Sequence, residues 1–464
     1  MTLKSAKPER IQKAMLLELR IEDLAYGGKG IARLDDFVVF VRNALPGDLV
    51  RARVSKRQKN HAEAILEEII TPSPKRISAR CPLFGVCGGC SWQNLAYGEQ
   101  LAYKQRIVES TIEHLGKARP ERVEPIMPSP AQWRYRNKME YTFGADSDGR
   151  PIIGFHIPES FDRVFEVKAC LLQPEPFDAA LGAATRWARA NDLTPYDPRS
   201  HRGFLRHLIL RHSATTEEVI AILLTTEGNL PEPEGLVSAL REACPSLKGL
   251  VWGLNAGLAD FARQDRELWR WGEPWLEETL NGLRFRISPH SFFQVNTRAA
   301  EQMYRVVRDM LGDDARETRL LDAYCGAGVI GLFCASRVRE IVGIEIARDA
   351  VWDARENAER NAIANSTFMA GDLRATLPLI ASLPAAAIGR IVVDPPRGGM
   401  DKHALRGLLD IGAPVIIYVS CNPATLSRDL VAIAEAGYRT TVVQPVDLFP
   451  QTYHIETIVR FEKM

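Results

Sequence analysis

The pattern of apolar and polar positions divides the chain into three stretches. From about residue 17 to residue 70, short β-type runs alternate with turns that contain glycine and proline. Five such runs in so short a span predict a small closed barrel of the OB type, a common platform for nucleic acids, although other small β modules fit the pattern equally well. The segment 71–74, with two prolines, is typical of a rigid linker, so the first domain is predicted to span residues 1–72.

The middle stretch, residues 73–290, has a mixed pattern. Helical periodicity, clearest at about 97–115 and 176–191, is interspersed with strand-like segments such as 138–143 and 219–225. This mixture predicts an α+β central domain.

From about residue 288 onward, apolar strands and amphipathic helices alternate. Such alternation predicts a doubly wound, mostly parallel sheet, and therefore an α/β Rossmann-like domain over residues 291–464. In open sheets of this kind, ligands bind at the carboxyl ends of the strands. The candidate chemistry of the chain is expected at that edge.

Polar residues at these strand ends form a candidate cofactor pocket. The apolar strand 320–323 enters the turn 324–328, whose small residues let the backbone approach a ligand closely. Because the turn lacks a third glycine, a cofactor without phosphate is favoured over a dinucleotide. Glu345 ends the next strand, where it can accept both ribose hydroxyls, and Asp372 ends the third, where it can accept an adenine amino group. Together with Asp394 before two prolines, this order is typical of S-adenosylmethionine-dependent methyltransferases.

A cysteine at another strand end is a candidate nucleophile. The apolar run 414–419 leads directly to Cys421. Carbon 5 of a pyrimidine cannot accept a methyl group until a nucleophile has added to carbon 6, and a thiolate can do this. A base must then remove the carbon 5 proton, and Glu456, just before the last apolar segment, is the candidate. Most buried cysteines are inert and most glutamates are ordinary surface acids, so each assignment depends on the other.

Four cysteines form a candidate metal site. Cys81, Cys87 and Cys90 lie within ten residues, and Cys170 follows a strand-like segment. This spacing suits either tetrahedral zinc or a [4Fe-4S] cluster. Glycines beside the thiols leave backbone amides free to bond to cluster sulfurs, which favours iron slightly.

Length and charge change this picture only a little. A chain of 464 residues has room for about two to four domains. Its 59 basic and 58 acidic residues give a net charge of +1, which neither indicates nor excludes a nucleic-acid partner. Basic islands such as 56–59, 134–138 and 201–212 nevertheless favour a surface that follows phosphates. No run is long enough to span a bilayer and no leader is visible, so we expect a cytoplasmic protein without membrane contact.

The motifs taken together resemble a known family. Segments 294–296, 322–328, 394–397, 420–422 and 454–456 are similar, in order, to the RNA uracil-5-methyltransferases, which make 5-methyluridine. The resemblance covers essentially the whole chain. It implies a TRAM domain at the N-terminus, an iron-sulfur domain in the middle and the catalytic domain in the last third.

The resemblance also implies roles for single residues. Cys421 matches the nucleophile and Glu456 the general base. The positions that match the S-adenosyl-L-methionine pocket are Gln294, Tyr324, Glu345, Asp372 and Asp394. The positions that match ligands of a [4Fe-4S] cluster are Cys81, Cys87, Cys90 and Cys170. In the family, the segment at about 97–131 is a candidate to pack with the catalytic domain.

RNA is the expected partner of a monomeric enzyme. The resemblance favours 23S ribosomal RNA, because a TRAM-like barrel and a cluster occur together in that branch of the family. A tRNA uridine-5 methyltransferase, an enzyme that methylates cytosine or a base nitrogen, and a non-catalytic RNA-binding or ribosome assembly protein are the alternatives. A stacked uracil hides carbon 6, so the target base must be flipped out. Phe292 and Phe293 are candidates to replace its stacking partners, and Arg136 is a candidate to grip it.

Overall fold

The computed structural model describes residues 11–158, 160–381 and 388–464. The helices in these residues are α1 (Tyr97–His114), α2 (Glu175–Ala190), α3 (Pro233–Ala243), α4 (Thr297–Met310), α5 (Val329–Phe333), α6 (Arg348–Arg360), α7 (Leu373–Ala381), α8 (Lys402–Asp410) and α9 (Pro423–Glu435). Within the described ranges, none of these helices combines the length and the apolar character needed to cross a membrane.

The strands fall into three large sheets and one hairpin. In chain order they are β1 (Leu16–Arg20), β2 (Asp23–Leu24), β3 (Gly30–Leu34), β4 (Phe37–Arg42), β5 (Leu49–Arg57), β6 (His61–Thr71), β7 (Arg122–Val123), β8 (Lys138–Ala145), β9 (Pro151–His156), β10 (Val164–Glu166), β11 (Leu205–His212), β12 (Val219–Thr225), β13 (Leu247–Leu254), β14 (Arg266–Gly272), β15 (Leu276–Leu280), β16 (Leu283–Ile287), β17 (Arg319–Ala323), β18 (Glu340–Glu345), β19 (Ser366–Ala370), β20 (Ile388–Val393), β21 (Val415–Ser420), β22 (Tyr438–Val446) and β23 (Glu456–Lys463).

The N-terminal strands form a barrel in the order β1-β5-β6-β4-β3-β2. Buried and partly exposed residues alternate along β4, as expected for a strand with one face on a core. Between β1 and β2, the Ile21 amide donates to the Asp48 carbonyl at 2.9 Å and the Glu22 amide donates to the Ile31 carbonyl at 2.8 Å. This bent segment joins the two edges of the sheet. The predicted barrel is therefore present, with six strands instead of five.

The central strands form a seven-stranded sheet in the order β10-β9-β8-β11-β12-β13-β14. Every residue of β12 is buried, because helices α2 and α3 pack on one face and the loop that contains Ala262 packs on the other. Strands β12 and β13 run parallel and are joined through α3. The middle of the chain thus has the α+β architecture that its mixed pattern predicts.

The C-terminal sheet has the order β19-β18-β17-β20-β21-β23-β22-β7. Strands β17 to β21 are parallel, and β23 is antiparallel to β21. The carboxyl ends of five strands and the amino end of β23 therefore share one edge, which we call the carboxyl edge. Ligand chemistry in open α/β sheets gathers at such an edge.

Two segments that precede residue 291 also pack on this sheet. Helix α1 lies against α9, where Ser427 Oγ donates to the Thr111 carbonyl at 3.0 Å, and β7 extends the sheet beyond β22. The hairpin β15–β16 lies against α6, whose Asn357 and Asn361 side chains accept the amides of Arg286 at 2.7 Å and Arg284 at 2.8 Å. The C-terminal sheet and its covering helices are thus joined by segments that are far apart in sequence.

Candidate active site

The turn after β17 opens space at the carboxyl edge. Tyr324, Gly326 and Gly328 have φ angles of 63°, 53° and 76°, all in the left-handed region. A Cβ added at Gly326 would meet nothing within 4 Å. The Gly326 amide donates to Glu345 Oε2 at 3.2 Å. The turn therefore leaves room for a ligand directly beside a carboxylate, as small residues in such turns allow.

Two predicted cofactor residues end the neighbouring strands. Glu345 is the last residue of β18, and its Oε1 accepts the Ala347 amide at 2.9 Å. Asp372 follows β19 and accepts Arg374 Nε at 3.0 Å and the second guanidinium nitrogen at 2.6 Å. These bonds with Arg374 are the main reason that the pKa of Asp372 falls to about 2. Glu345 offers acceptor oxygens beside the glycine turn, and Asp372 offers them one strand farther along the carboxyl edge.

Two aspartates of the site have raised pKa values: Asp322 is 1 % exposed, and Asp394 is partly buried. Burial raises the pKa of Asp394, which follows β20, to about 7. Burial also raises the pKa of Asp322 to about 7, although its Oδ2 accepts the Gly331 amide at 2.8 Å. The other Asp322 oxygen is buried and has no hydrogen-bond partner in the described residues. The sequence motif contained Asp322, but we did not predict it as a functional residue. The sequence feature that could have identified Asp322 is a carboxylate inside an apolar strand, a place where Asp is rarely found.

The thiol of Cys421 lies next to Glu456 across two strands. The last pair in the β21–β23 ladder is Ser420 with Thr457. The next position on β21 is therefore Cys421 and its neighbour on β23 is Glu456, which is 2 % exposed. Nucleophile and base candidates, 35 positions apart in sequence, thus meet at the carboxyl edge.

Burial favours the protonated form of both groups. It raises the pKa of Cys421 to about 12, with further contributions from the charges of Glu456 and Asp394. It also raises the pKa of Glu456 well above its ordinary value, and Glu456 Oε2 has no hydrogen-bond partner among the described residues. The Arg397 guanidinium opposes both shifts. We did not predict this role for Arg397, although the cation follows the Asp-Pro-Pro motif directly.

Asn422 connects the two loops that carry these groups. Its Oδ1 accepts the Ala424 amide at 3.1 Å and so caps helix α9. Its Nδ2 donates to the Arg397 carbonyl at 3.2 Å, and Thr425 Oγ1 donates to the same carbonyl at 3.3 Å. The loop after β20 and the loop after β21 are therefore held together beside Cys421.

The segment before α4 places the remaining predicted residues. Gln294 is buried, and its carbonyl accepts Asn137 Nδ2 at 2.9 Å. Phe293 is 4 % exposed and packs in the core of the catalytic domain, whereas Phe292 is 67 % exposed. Of the two phenylalanines, only Phe292 is free to stack on a base.

The four predicted metal-site cysteines line one cavity of about 530 Å³. Phe292 and Arg136 line the same cavity. Burial raises the pKa of Cys87 and Cys170, and it raises that of Cys90 to about 12. In the part of the chain that the structure describes, no group of three or more His, Cys, Asp or Glu side chains is arranged to hold a metal ion. The structure brings the thiols together but does not show the predicted metal site. The chemistry of the set, four thiols, fits zinc or an iron-sulfur cluster.

The fold and the carboxyl edge define a class of protein, the S-adenosylmethionine-dependent methyltransferases with an α/β sheet. A family model described as tRNA (Uracil-5-)-methyltransferase matches residues 272–464, and a TRAM domain model matches residues 16–66. The predicted TRAM domain is thereby confirmed.

Full-length relatives agree with these matches. A protein of Halalkalibacterium halodurans, described as an uncharacterized RNA methyltransferase, is 36% identical over 452 residues and covers 97% of this chain and 98% of its own. One of Gloeobacter violaceus with the same description is 39% identical over 461 residues, with 98% of both chains covered. The chain belongs to the RNA uracil-5-methyltransferase family.

A solved structure has the same architecture. The crystal structure of Pyrococcus abyssi tRNA (uracil-54, C5)-methyltransferase in complex with S-adenosyl-L-homocysteine is similar with a TM-score of 0.75 and 26% sequence identity. The similarity covers 96% of this chain and 100% of that one. Together with the family match, it supports S-adenosylmethionine as the cofactor.

Proposed function

We propose that this protein transfers a methyl group from S-adenosyl-L-methionine to carbon 5 of a uridine in RNA, with Cys421 as nucleophile and Glu456 as base. The observation that carries the proposal is the register of β21 with β23: its last pair is Ser420 with Thr457, so Cys421 and the buried Glu456 come next to that pair, and the charge of Glu456 acts on the thiol. Both lie at the edge where the glycine turn opens space for a cofactor. Membership of the family supports the same reaction.

The proposed chemistry needs a thiolate and a base. The Cys421 thiolate would form a bond to carbon 6 of uracil, and the displaced electron pair would make carbon 5 an enolate nucleophile. Carbon 5 would then take the methyl group, with the electron pair of the broken sulfur–methyl bond staying on sulfur and S-adenosyl-L-homocysteine leaving. Glu456 then accepts the proton that leaves carbon 5. The electrons of that carbon–hydrogen bond restore the ring double bond, and the carbon–sulfur bond breaks to release the thiolate.

Ionisation of the two groups is proposed to depend on loading of the site. S-adenosylmethionine, when bound, supplies the methyl group together with a positive sulfonium charge. A nearby positive charge favours the ionised form of an acid. The raised pKa values of Cys421 and Glu456 are therefore expected to fall in the loaded site, in the direction in which Arg397 already acts. The thiolate is therefore expected to be scarce in the free protein.

The proposed cofactor pocket follows the strand ends. Glu345 is assigned to the ribose hydroxyls, because its carboxylate borders the open space at Gly326. Asp372 is assigned to the adenine amino group, because Arg374 keeps it ionised and able to accept hydrogen bonds. The other proposed members of the pocket are Gln294, Tyr324 and Asp394.

For the RNA substrate we propose 23S ribosomal RNA. The support is the combination of a TRAM domain with the four-cysteine cavity, which resembles the ribosomal branch of the family. Transfer RNA is the second candidate, because the structural neighbour from Pyrococcus abyssi is a tRNA (uracil-54, C5)-methyltransferase. The proposal includes a monomeric enzyme that works in the cytoplasm.

We also propose that the four-cysteine cavity holds a [4Fe-4S] cluster on Cys81, Cys87, Cys90 and Cys170. The support is that all four cysteines line one cavity, and that a metal replaces the protons of the thiols that bind it. Anaerobically purified protein is expected to contain iron and sulfide, and Cys87→Ser is expected to lose both. Protein that carries stoichiometric zinc, or no metal at all, would contradict the cluster.

Methylation of RNA from a deletion strain tests the proposed function. Total RNA from a strain that lacks this protein is incubated with the enzyme and labelled cofactor, and the labelled nucleoside and its position are then mapped. We expect 5-methyluridine at one position of 23S rRNA and no label with Cys421→Ser. Label in tRNA would select the second candidate, and label in cytidine or on a base nitrogen would contradict the reaction.

A further inference from the structure

One turn of the N-terminal barrel packs against the candidate active site. This turn lies between β2 and β3 and is closed by two hydrogen bonds. The Ala25 amide donates to the Lys29 carbonyl at 2.9 Å, and the Gly28 amide donates to the Ala25 carbonyl at 3.0 Å. Gly27 and Gly28 have φ angles of 103° and 79°, which other residues adopt only with strain. The turn therefore has a defined shape, and it presents the side chain of Tyr26.

Tyr26 contacts the backbone of Cys421 and the segment that precedes Glu456. Its hydroxyl donates a hydrogen bond to the backbone carbonyl of Cys421 at 3.1 Å. Its ring meets the ring of Tyr453 edge to face, with centroids 5.5 Å apart and an angle of 88°. The ring centroids of Tyr453 and His454 lie 4.2 Å apart, and both residues belong to the segment that leads into Glu456. One side chain of the barrel thus touches the nucleophile and the segment that carries the base.

The turn fits closely against the catalytic domain. A Cβ at Gly28 would come within 3.0 Å of Ser91 Cβ and 3.2 Å of Tyr453 Cδ1. Leu24, at the start of the turn, is 3 % exposed and belongs to the same apolar core as Leu430 and Ile455. The contact is therefore a packed interface and not a chance approach of two surfaces.

The Tyr26 hydroxyl is kept in the form that donates. Burial raises its pKa well above the ordinary value, and the negative charge that Cys421 acquires on ionisation raises it further. The phenol therefore stays protonated when the thiol ionises. Because the hydrogen bond goes to the carbonyl of Cys421, it fixes the backbone from which the thiol projects.

We propose that the TRAM domain completes the active site, with Tyr26 as a positioning residue that holds the Cys421 backbone and supports the Glu456 segment. This inference rests on the proposed function of Cys421. It gives the barrel a second task beside binding RNA, because displacement of the barrel would loosen the nucleophile.

The test compares Tyr26→Phe with a matched control, Tyr438→Phe. Tyr438 is buried in the catalytic domain, and its hydroxyl also donates to a backbone carbonyl, that of Ala413, at 2.8 Å. Each variant therefore loses one hydroxyl and one hydrogen bond of the same kind. The reactions are run with full-length protein, S-adenosylmethionine and RNA that contains 5-fluorouridine, in which the covalent adduct persists.

The readouts are the rate of adduct formation at saturating RNA and the dissociation constant for RNA. We expect Tyr26→Phe to slow adduct formation about fivefold, the factor that corresponds to one ordinary hydrogen bond, with unchanged RNA affinity. Tyr438→Phe should form the adduct at the wild-type rate. A Tyr26→Phe variant that matches Tyr438→Phe in rate, or whose defect lies entirely in RNA affinity, overturns the positioning role alone. A wild-type protein that forms no adduct overturns the proposed function as well.

Discussion

Replacing Lys104 by methionine tests how helix α1 holds the segment that leads to Glu456. Lys104 and Asp447 are both fully buried, and the ammonium group donates to Asp447 Oδ1 at 2.6 Å and to the Phe449 carbonyl at 3.1 Å. The other Asp447 oxygen accepts the Tyr97 hydroxyl at 2.9 Å. Methionine keeps most of the length of the side chain but removes its charge and its donors.

The expected loss of stability follows from the charge that stays behind. Removing one partner of a buried ion pair costs about 3–5 kcal/mol, because the other charge is left without compensation. The Asp447 carboxylate would keep two donors, the Tyr97 hydroxyl and the Phe449 amide at 3.1 Å. We therefore expect a loss near the lower end, about 3 kcal/mol. The double variant Lys104→Met with Asp447→Leu should lose less than the single variant, since no buried charge remains.

Urea unfolding of the variants measures these free energies. Lys75→Met is the control, because its ammonium also lies 2.6 Å from a carboxylate, that of Glu99, but the two side chains are 43% and 34% exposed. An exposed pair contributes less than about 1 kcal/mol. If Lys104→Met loses no more stability than Lys75→Met, the reasoning from buried charge is refuted.

Three further predictions concern the catalytic groups. Glu456→Gln should form the covalent adduct with ordinary uridine RNA but release it slowly, because no base takes the carbon 5 proton; denaturing gels should show a lasting adduct, and rapid turnover would contradict the role of Glu456. Alkylation of Cys421 by iodoacetamide in the free protein should rise about tenfold per pH unit from pH 7 to pH 9, since its pKa of about 12 keeps the reactive thiolate scarce; mass spectrometry of the peptide measures this, and a flat profile would contradict it. Asp394 has a folded-state pKa of about 7, above its unfolded value near 4, so the folded state retains a proton that the unfolded state releases and stability falls as pH rises through this window. Asp394→Asn should therefore weaken the pH dependence of the unfolding free energy by up to ~1.4 kcal/mol per pH unit between pH 4 and pH 7, and an unchanged slope in urea titrations would argue against a protonated Asp394.

The strand ends could be predicted from sequence because their signals are local. The apolar runs before Asp394 and Cys421 are long enough to identify buried strands, and β20 and β21 end where those runs end. The order of the motifs then predicts which strand carries which function. Parallel strands bring their carboxyl ends to one edge, so the position of the site follows from the pattern alone.

The contacts between distant segments could not be predicted in this way. Tyr26 and Cys421 are 395 positions apart, and no periodicity or spacing links them. The hairpin β15–β16 precedes the domain boundary predicted at residue 291, yet it packs on α6 through Asn357 and Asn361. Burial of Glu456 is also a property of the assembled fold, since nothing in its neighbours distinguishes it from a surface acid.

The most direct measurement of the central claim identifies the residue that bonds to the base. The protein is incubated with S-adenosylmethionine and 5-fluorouridine RNA, digested, and analysed by mass spectrometry. We predict a nucleotide adduct on the peptide that contains Cys421, and no adduct with Cys421→Ala. An adduct on another cysteine, or methylated uridine produced by Cys421→Ala at the wild-type rate, would contradict the account.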